Sequence, residues 1–231
     1  CDDGDACTTD TCDATTGCAN TDIECEVGEV CIDGTCTPVQ TFVLTTDIDI
    51  VNGSSGNDTI VGSDATYTTG DLIDGRGGTD TLNVTLTAAE GDLVDIMNVE
   101  IYNIRNTHNN QSVDGDGWTG FTQLWYDRGN QDLTLTNIGA VAAVGFNGGA
   151  GGTSDFDVEF DNTLVSGTSD ALSVVLNDAN GNNLTAQGVN NTDGFETVNV
   201  TATGDNTLAS IASADMTTIT FAGTGTVEIT G

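Results

Sequence analysis

The chain has 231 residues, with 36 Asp and Glu against three Arg and no Lys, for a formal net charge of −33. That balance excludes nucleic acid, whose phosphates need a basic footprint, and an anionic membrane surface for the same reason. No apolar run approaches the roughly 20 residues of a membrane span, and 37% hydrophobic residues in repeated Val/Ile/Leu/Thr alternation argue for a folded chain rather than a disordered one.

In chain order, residues 1–37 form a cysteine-rich unit that holds all seven cysteines. "CDDGDACTTDTC" carries Cys1, Cys7 and Cys12, and "CEVGEVCIDGTC" carries Cys25, Cys31 and Cys36 at the same spacing, with Cys18 between them. Dense cysteine in a short acidic segment indicates an oxidising, extracellular setting. Disulfide stapling through Cys7, Cys12, Cys18, Cys25, Cys31 and Cys36 is expected over zinc ligation, which usually shows close cysteine pairs. Asp2, Asp3, Asp5, Asp10 and Asp13 are secondary calcium candidates whose spacing is not that of a twelve-residue helical loop. Cys1 is the odd sulfur. It reads as a lipidated N-terminus or as a member of a longer cysteine array, and its match to Cys25 in the repeat favours the array. The absence of an initial Met or an apolar leader reads as processing, or as part of a longer protein.

Pro38, the only proline, marks the boundary of a second unit over residues 41–231. Its signal is short strands of period two between Gly/Asn/Asp turns. Leu82, Val84 and Leu86 share one face, as do Leu133 and Leu135; Leu172, Val174 and Leu176; Val198 and Val200; Ile219 and Phe221; and Val227 and Ile229. Ala88–Val99, with Leu93, Ile96 and Met97, has the one apolar spacing that suits a helix. Aromatic residues are only 5%, inward positions are small, and outward positions repeat Thr and Asn. That pattern indicates an all-β parallel β-solenoid (β-helix), in which like residues ladder from rung to rung, with a β-sandwich as the alternative.

Two stretches carry candidate chemistry. "VNGSSGNDTI" and "GRGGTDTLN" share the layout Gly–x–x–Gly–x–Asp–x–aliphatic, at Gly53, Gly56, Asp58 and Ile60 and at Gly75, Gly78, Asp80 and Leu82. Calcium takes six to eight hard oxygens, many of them backbone carbonyls that glycine loops can turn inward. The expected ligand set is Gly53, Gly56, Asn57, Asp58, Gly75, Gly78 and Asp80, with Asp64, Asp71 and Asp74 between the loops. Weaker oxygen-rich loops occur at Asp114 and Asp116 and at Asp178, Asn180 and Asn182. "DFDVEFD" places Asp155, Asp157, Glu159 and Asp161 on the solvated face of a strand over Phe156, Val158 and Phe160. Trp118, Trp125, Tyr126 and Arg128 form a carbohydrate platform, a subunit contact or a local core.

The glycine and aspartate motif resembles the nonapeptide of RTX-type calcium-binding β-rolls. Residues 41–87 resemble the calcium-binding module of bacterial surface-layer proteins, and the Thr/Asn/Gly-rich strands that follow resemble the same family's β-helix. The two copies depart from the pattern at Ser54 and Arg76, where Gly is expected, and they are separated by Val61–Asp74. The resemblance implies Ca2+ as the ion and a structural, self-assembling extracellular subunit of a surface layer or filament at the cell surface. The alternative is a calcium-dependent adhesin or glycan-binding module, with cell-surface polysaccharide as partner. An enzyme is not expected, because one His, no Lys and three scattered Arg leave little to act as a base or to neutralise a sugar acid.

Overall fold

In the computed structural model, residues 1–68, 70–88, 95–148 and 154–231 are described. The chain opens with two antiparallel hairpins, Thr8–Asp13 with Gly17–Asp22 and Glu29–Ile32 with Thr35–Pro38. From Thr41 onward every pairing between named strands is parallel, and the chain winds as a β-solenoid of about eight turns. Parallel strands need a crossover, and each turn supplies it by returning through a second sheet.

One long sheet receives a strand from every turn. Its nine strands are Thr41–Val43, Thr59–Ser63, Thr81–Leu86, Ile101–Asn106, Gln123–Asp127, Ala143–Asn147, Ala171–Asn177, Thr197–Thr203 and Thr218–Gly223, hydrogen-bonded in that order. The early turns return through a three-stranded sheet of Ile50–Asn52, Leu72–Asp74 and Ile96–Met97. The later turns return through a six-stranded sheet running from Gln111–Asp114 to Thr226–Ile229.

Register turns the period-two pattern into columns. Ile60, Leu82, Tyr102, Leu124, Val144, Val174 and Val200 stand in successive rungs at one inward position, and each is at most 1% exposed. Burial of one such side chain contributes about 1.5–3 kcal/mol, so the column rather than any single strand holds the fold. The inward faces at Leu82/Val84/Leu86, Leu133/Leu135, Leu172/Val174/Leu176 and Val198/Val200 are all buried, as the alternation requires. Ile219, Phe221 and Ile229, in the last rung described, keep the same phase and are 36%, 52% and 45% exposed.

Polar ladders continue on the outer face. Asn103 Nδ2 donates to Asn83 Oδ1 at 2.9 Å. Asn147 donates to Asp127, Asn177 to Asn147, and Thr203 to Asn177, at 2.8, 3.0 and 3.1 Å.

Three sequence expectations change. Ile96–Met97 is a strand, not helix, because Ile96 and Met97 pair with Ile73 and Asp74 of the rung before; Leu93 lies outside the described residues. Asp161 does not extend the acidic strand face: it caps the short helix Asn162–Val165, its Oδ1 accepting from Thr163 N at 2.9 Å. The aromatic cluster also divides. Trp118 and Tyr126 are core residues, Trp118 with its ring 4.7 Å from that of Tyr102 and tilted to it by 35°, and Tyr126 packed against Phe146 and Phe156, so only Trp125 faces outward.

Candidate calcium and cysteine sites

The aspartates that end the two glycine loops sit at equivalent corners of successive rungs, one residue before a strand of the long sheet. Each accepts the backbone N–H of the corresponding residue one rung earlier. Asp58 Oδ1 accepts from Gln40 N, Asp80 Oδ1 from Asp58 N, and Glu100 Oε2 from Asp80 N, each at 2.7 Å. The device recurs where Asp170 N donates to Glu196 Oε2 at 2.7 Å. A carboxylate in this position satisfies an amide that the corner would otherwise leave without a partner.

Asp58 is fully engaged. Besides Gln40 N, it accepts from Ser54 N at 2.5 Å and Ser54 Oγ at 3.0 Å. Asp80 is not: it is fully buried, its Oδ2 has no hydrogen-bond donor among the described residues, and the carboxylates of Glu100, Asp58 and Asp74 surround it. Burial is the largest cause pushing its carboxyl up to about 6, with those three carboxylates adding to the rise and the Asp58 N–H opposing it. No side-chain cation pairs with it; the one salt bridge among the described residues joins Arg128 to Asp127 at 2.9 Å.

The glycines of the second loop are required by close approach and backbone conformation. A Cβ on Gly75 would lie 2.1 Å from the Asn98 carbonyl oxygen and 2.3 Å from Asp80 Oδ2, so two oxygens converge where that side chain would be. Gly78 has φ +109° and faces the Gly56 carbonyl, 2.5 Å from its Cβ position. In the first loop a Cβ on Gly53 would meet the Gly75 carbonyl at 2.2 Å and Asp58 Oδ2 at 2.8 Å, and one on Gly56 would meet the Pro38 carbonyl at 2.1 Å. Asn57 Oδ1 accepts from Thr79 N at 2.8 Å, tying the two loops together.

Asp74 lies on the Asp80 side and accepts from Arg76 N and Asn98 Nδ2 at 3.0 and 2.8 Å. Asp71 and Asp64 lie at other corners. Asp71, buried, accepts from Asp49 N, Thr68 N and Thr68 Oγ. Asp64 accepts from Thr87 N, Thr87 Oγ and Ala88 N. The ten predicted positions therefore divide among three places: the stacked loops with Asp74, the Asp71 corner and the Asp64 corner. Glu100, part of the Asp80 environment, was not singled out from sequence. Its signal was positional, since it precedes Ile101–Asn106 as Asp80 precedes Thr81–Leu86.

A calcium ion at the second loop would find one free carboxylate oxygen on Asp80 and the Asn98 carbonyl beside it. That chemistry fits a hard cation. At the first loop the Asp58 oxygens already hold amide and hydroxyl donors, so the fit belongs to Asp80. Among the described residues, three or more side chains of metal-binding type converge only in the cysteine unit, at Cys1/Cys12/Cys18 and at Asp2/Asp3/Asp10. Both groups are exposed.

In that unit, Cys7 pairs with Cys31 and Cys25 with Cys36. The Cys1 sulfur is brought to both Cys12 and Cys18, which face each other across the first hairpin.

Of the loops named more weakly, Asp114 Oδ1 accepts from Asp116 N and Asn137 Nδ2, both at 3.0 Å, and Asp178 Oδ1 from Asp205 N at 3.2 Å. On the strand Asp155–Phe160, burial pushes the Asp157 and Glu159 carboxyls up, with neighbouring carboxylates adding to the effect.

No helix among the described residues is long and apolar enough to cross a membrane. No curated protein and no solved structure matches the chain. Residues 1–23, which include Cys1, Cys7, Cys12 and Cys18, match the family described as the Dictyostelium (slime mold) repeat, so the chain is similar to that repeat over this short segment.

Proposed function

We propose that the chain is a structural, self-assembling extracellular protein, a subunit of a surface layer or filament, stabilised by calcium. The observation that carries this reading is Asp80: a fully buried carboxylate with an oxygen that has no donor, three carboxylates around it and no side-chain cation to offset them. Unsatisfied buried charge is costly, and a divalent ion removes that cost. The net charge of −33 extends the argument to assembly, because copies of the chain repel until cations neutralise them. Disulfides in the N-terminal unit support an oxidising, extracellular location at a cell surface. No enzymatic activity is part of the reading.

The test is sedimentation of the purified chain across calcium concentrations, with magnesium and NaCl as controls. Assembly should appear at millimolar calcium, reverse on chelation and fail in magnesium. A chain that binds calcium but stays monomeric at every concentration would transfer the reading to the alternative, a calcium-dependent adhesin or glycan-binding module. Trp125 supports that alternative: it is the one aromatic residue of the cluster on the outer face, and its indole lies beside Gly145, whose Cβ position is 3.1 Å from Cζ3.

A further inference from the structure

The 36 Asp and Glu residues are not spread evenly over the solenoid. The nine strands of the long sheet contain one of them, Asp127. The six-stranded sheet contains Asp114, Asp155, Asp157, Glu159, Asp205 and Glu228. Asp127 is 8% exposed and already paired: Arg128 donates to it at 2.9 Å and Asn147 Nδ2 at 2.8 Å. Arg105 is exposed on the rung before. Arg105 and Arg128 against Asp127 give this face a net charge of +1, on a chain whose net charge is −33.

An outward column runs beside the buried one. Val61, Asn83, Asn103, Trp125, Gly145 and Val175 occupy it in successive rungs. Trp125 lies low on the sheet. Its Nε1 donates to Gln123 Oε1 at 3.0 Å, and its Cζ3 is 3.1 Å from the Cβ position of Gly145, so the indole leans over the bare backbone of the next rung. A surface depleted of charge, with Trp and Arg among amides and small aliphatics, has the composition of the core of a protein interface.

We propose that the outer face of the long sheet is where two copies of this chain pair, sheet face to sheet face, about a two-fold axis. An isologous contact uses the same patch twice, and this patch brings no unpaired carboxylate from either copy. Pairing through the six-stranded sheet would set Asp155, Asp157 and Glu159 against a second set, which like-charge juxtaposition disfavours. The dimensions suit a stable contact. Nine strands about 4.8 Å apart and about 17 Å long offer on the order of 700 Å2, near the roughly 800 Å2 per partner of a standard interface. The inference rests on the self-association proposed above and adds the face it uses. It also separates two steps. Pairing needs only screening of the long-range repulsion, whose reach falls from about 30 Å at 0.01 M salt to about 8 Å at 0.15 M, whereas larger assemblies bring acidic surfaces together and need calcium.

The test is sedimentation of the full chain in chelator at about 0.01 M and about 0.5 M NaCl, then in calcium. In chelator the parent should form dimers that tighten at least about 10-fold as salt rises, and calcium should convert dimers into larger species. Trp125→Ala should weaken the dimer at least about 30-fold. Thr201→Asp, exposed in the same outward column next to Val175, should weaken it on the order of 10-fold at low salt and less at high salt. Thr134→Asp, on the outer face of the six-stranded sheet, should leave it unchanged. Melting curves of the three variants identify any that fails to fold. A parent that is monomeric in chelator at both salts, dimers indifferent to both long-sheet variants, or equal weakening by Thr134→Asp would each overturn the proposal. So would a monomeric parent that binds cellohexaose and loses it in Trp125→Ala, which would assign the face to a neutral glycan. Dimers in chelator with nothing larger in calcium would sink calcium-driven assembly and leave the pairing face standing; calcium assemblies from a parent without dimers would do the reverse.

Discussion

Replacing Asp80 with Asn tests the reasoning about the loop corner most sharply, because its stabilising effect should be present in chelator and vanish in calcium. The amide keeps an oxygen for the Asp58 N–H and removes the buried charge. A carboxyl raised from 3.8 to about 6 on folding is ionised in the native state only against that shift, which at pH 7.5 corresponds to about 3 kcal/mol of lost stability. Because the folded value is above the unfolded one, the penalty is fully present above about pH 6 and fades as pH falls through 6 toward 3.8. At pH 4 only about 0.5 kcal/mol remains. In chelator at pH 7.5, Asp80→Asn should therefore be more stable than the parent by about 2–3 kcal/mol in urea unfolding, and nearly neutral at pH 4. In calcium the parent should recover its deficit. An ion at 100 times its Kd contributes about 2.7 kcal/mol, and the variant should lose most of that increment. A variant less stable than the parent in chelator at pH 7.5, or a difference that does not change with pH, would refute the electrostatic account. Equal calcium increments in both proteins would remove Asp80 from the ligand set.

Chelation of the parent protein should lower its melting temperature, by about 2–4 °C for each kcal/mol lost, and magnesium should not restore it; unchanged melts would count against bound calcium. Gly145→Ala should destabilise by about 1–3 kcal/mol, because its Cβ would meet the Val175 carbonyl oxygen of the next rung at 2.0 Å; a neutral result by chemical denaturation would contradict the rung spacing. Leu82→Ala, at a fully buried position in the inward column, should cost about 2–5 kcal/mol, whereas Asn83→Ala, next to it on the outer face, should cost about 1 kcal/mol. Reduction should loosen residues 1–37 while the β-sheet circular dichroism of the rest persists, and collapse of that signal would show the solenoid to depend on the staples.

The sequence carried the inward column of the solenoid because alternation is local. Leu82, Val84 and Leu86 can face one way only if Thr81, Asn83 and Thr85 face the other. The same rule places the adjacent Trp125 and Tyr126 on opposite faces, although the sequence reading groups them as one cluster. The glycine loops ending in Asp58 and Asp80 were also legible, as matching punctuation ahead of two strands. What tertiary structure alone decided is how the rungs stack. The partner of each residue lies in the next turn, 18 to 30 positions away, and that interval varies, from Thr41↔Thr59 to Val144↔Val174. No local period encodes it. Stacking therefore determined that Ile96–Met97 is a strand, and that Asp64 and Asp71 cap other corners. It also left Asp80 with an oxygen without a donor while Asp58, with the same motif, is satisfied. Burial and charge at each corner depend on which residues the neighbouring rungs bring there, and Glu100 joins Asp80 only when two rungs are laid one on the other.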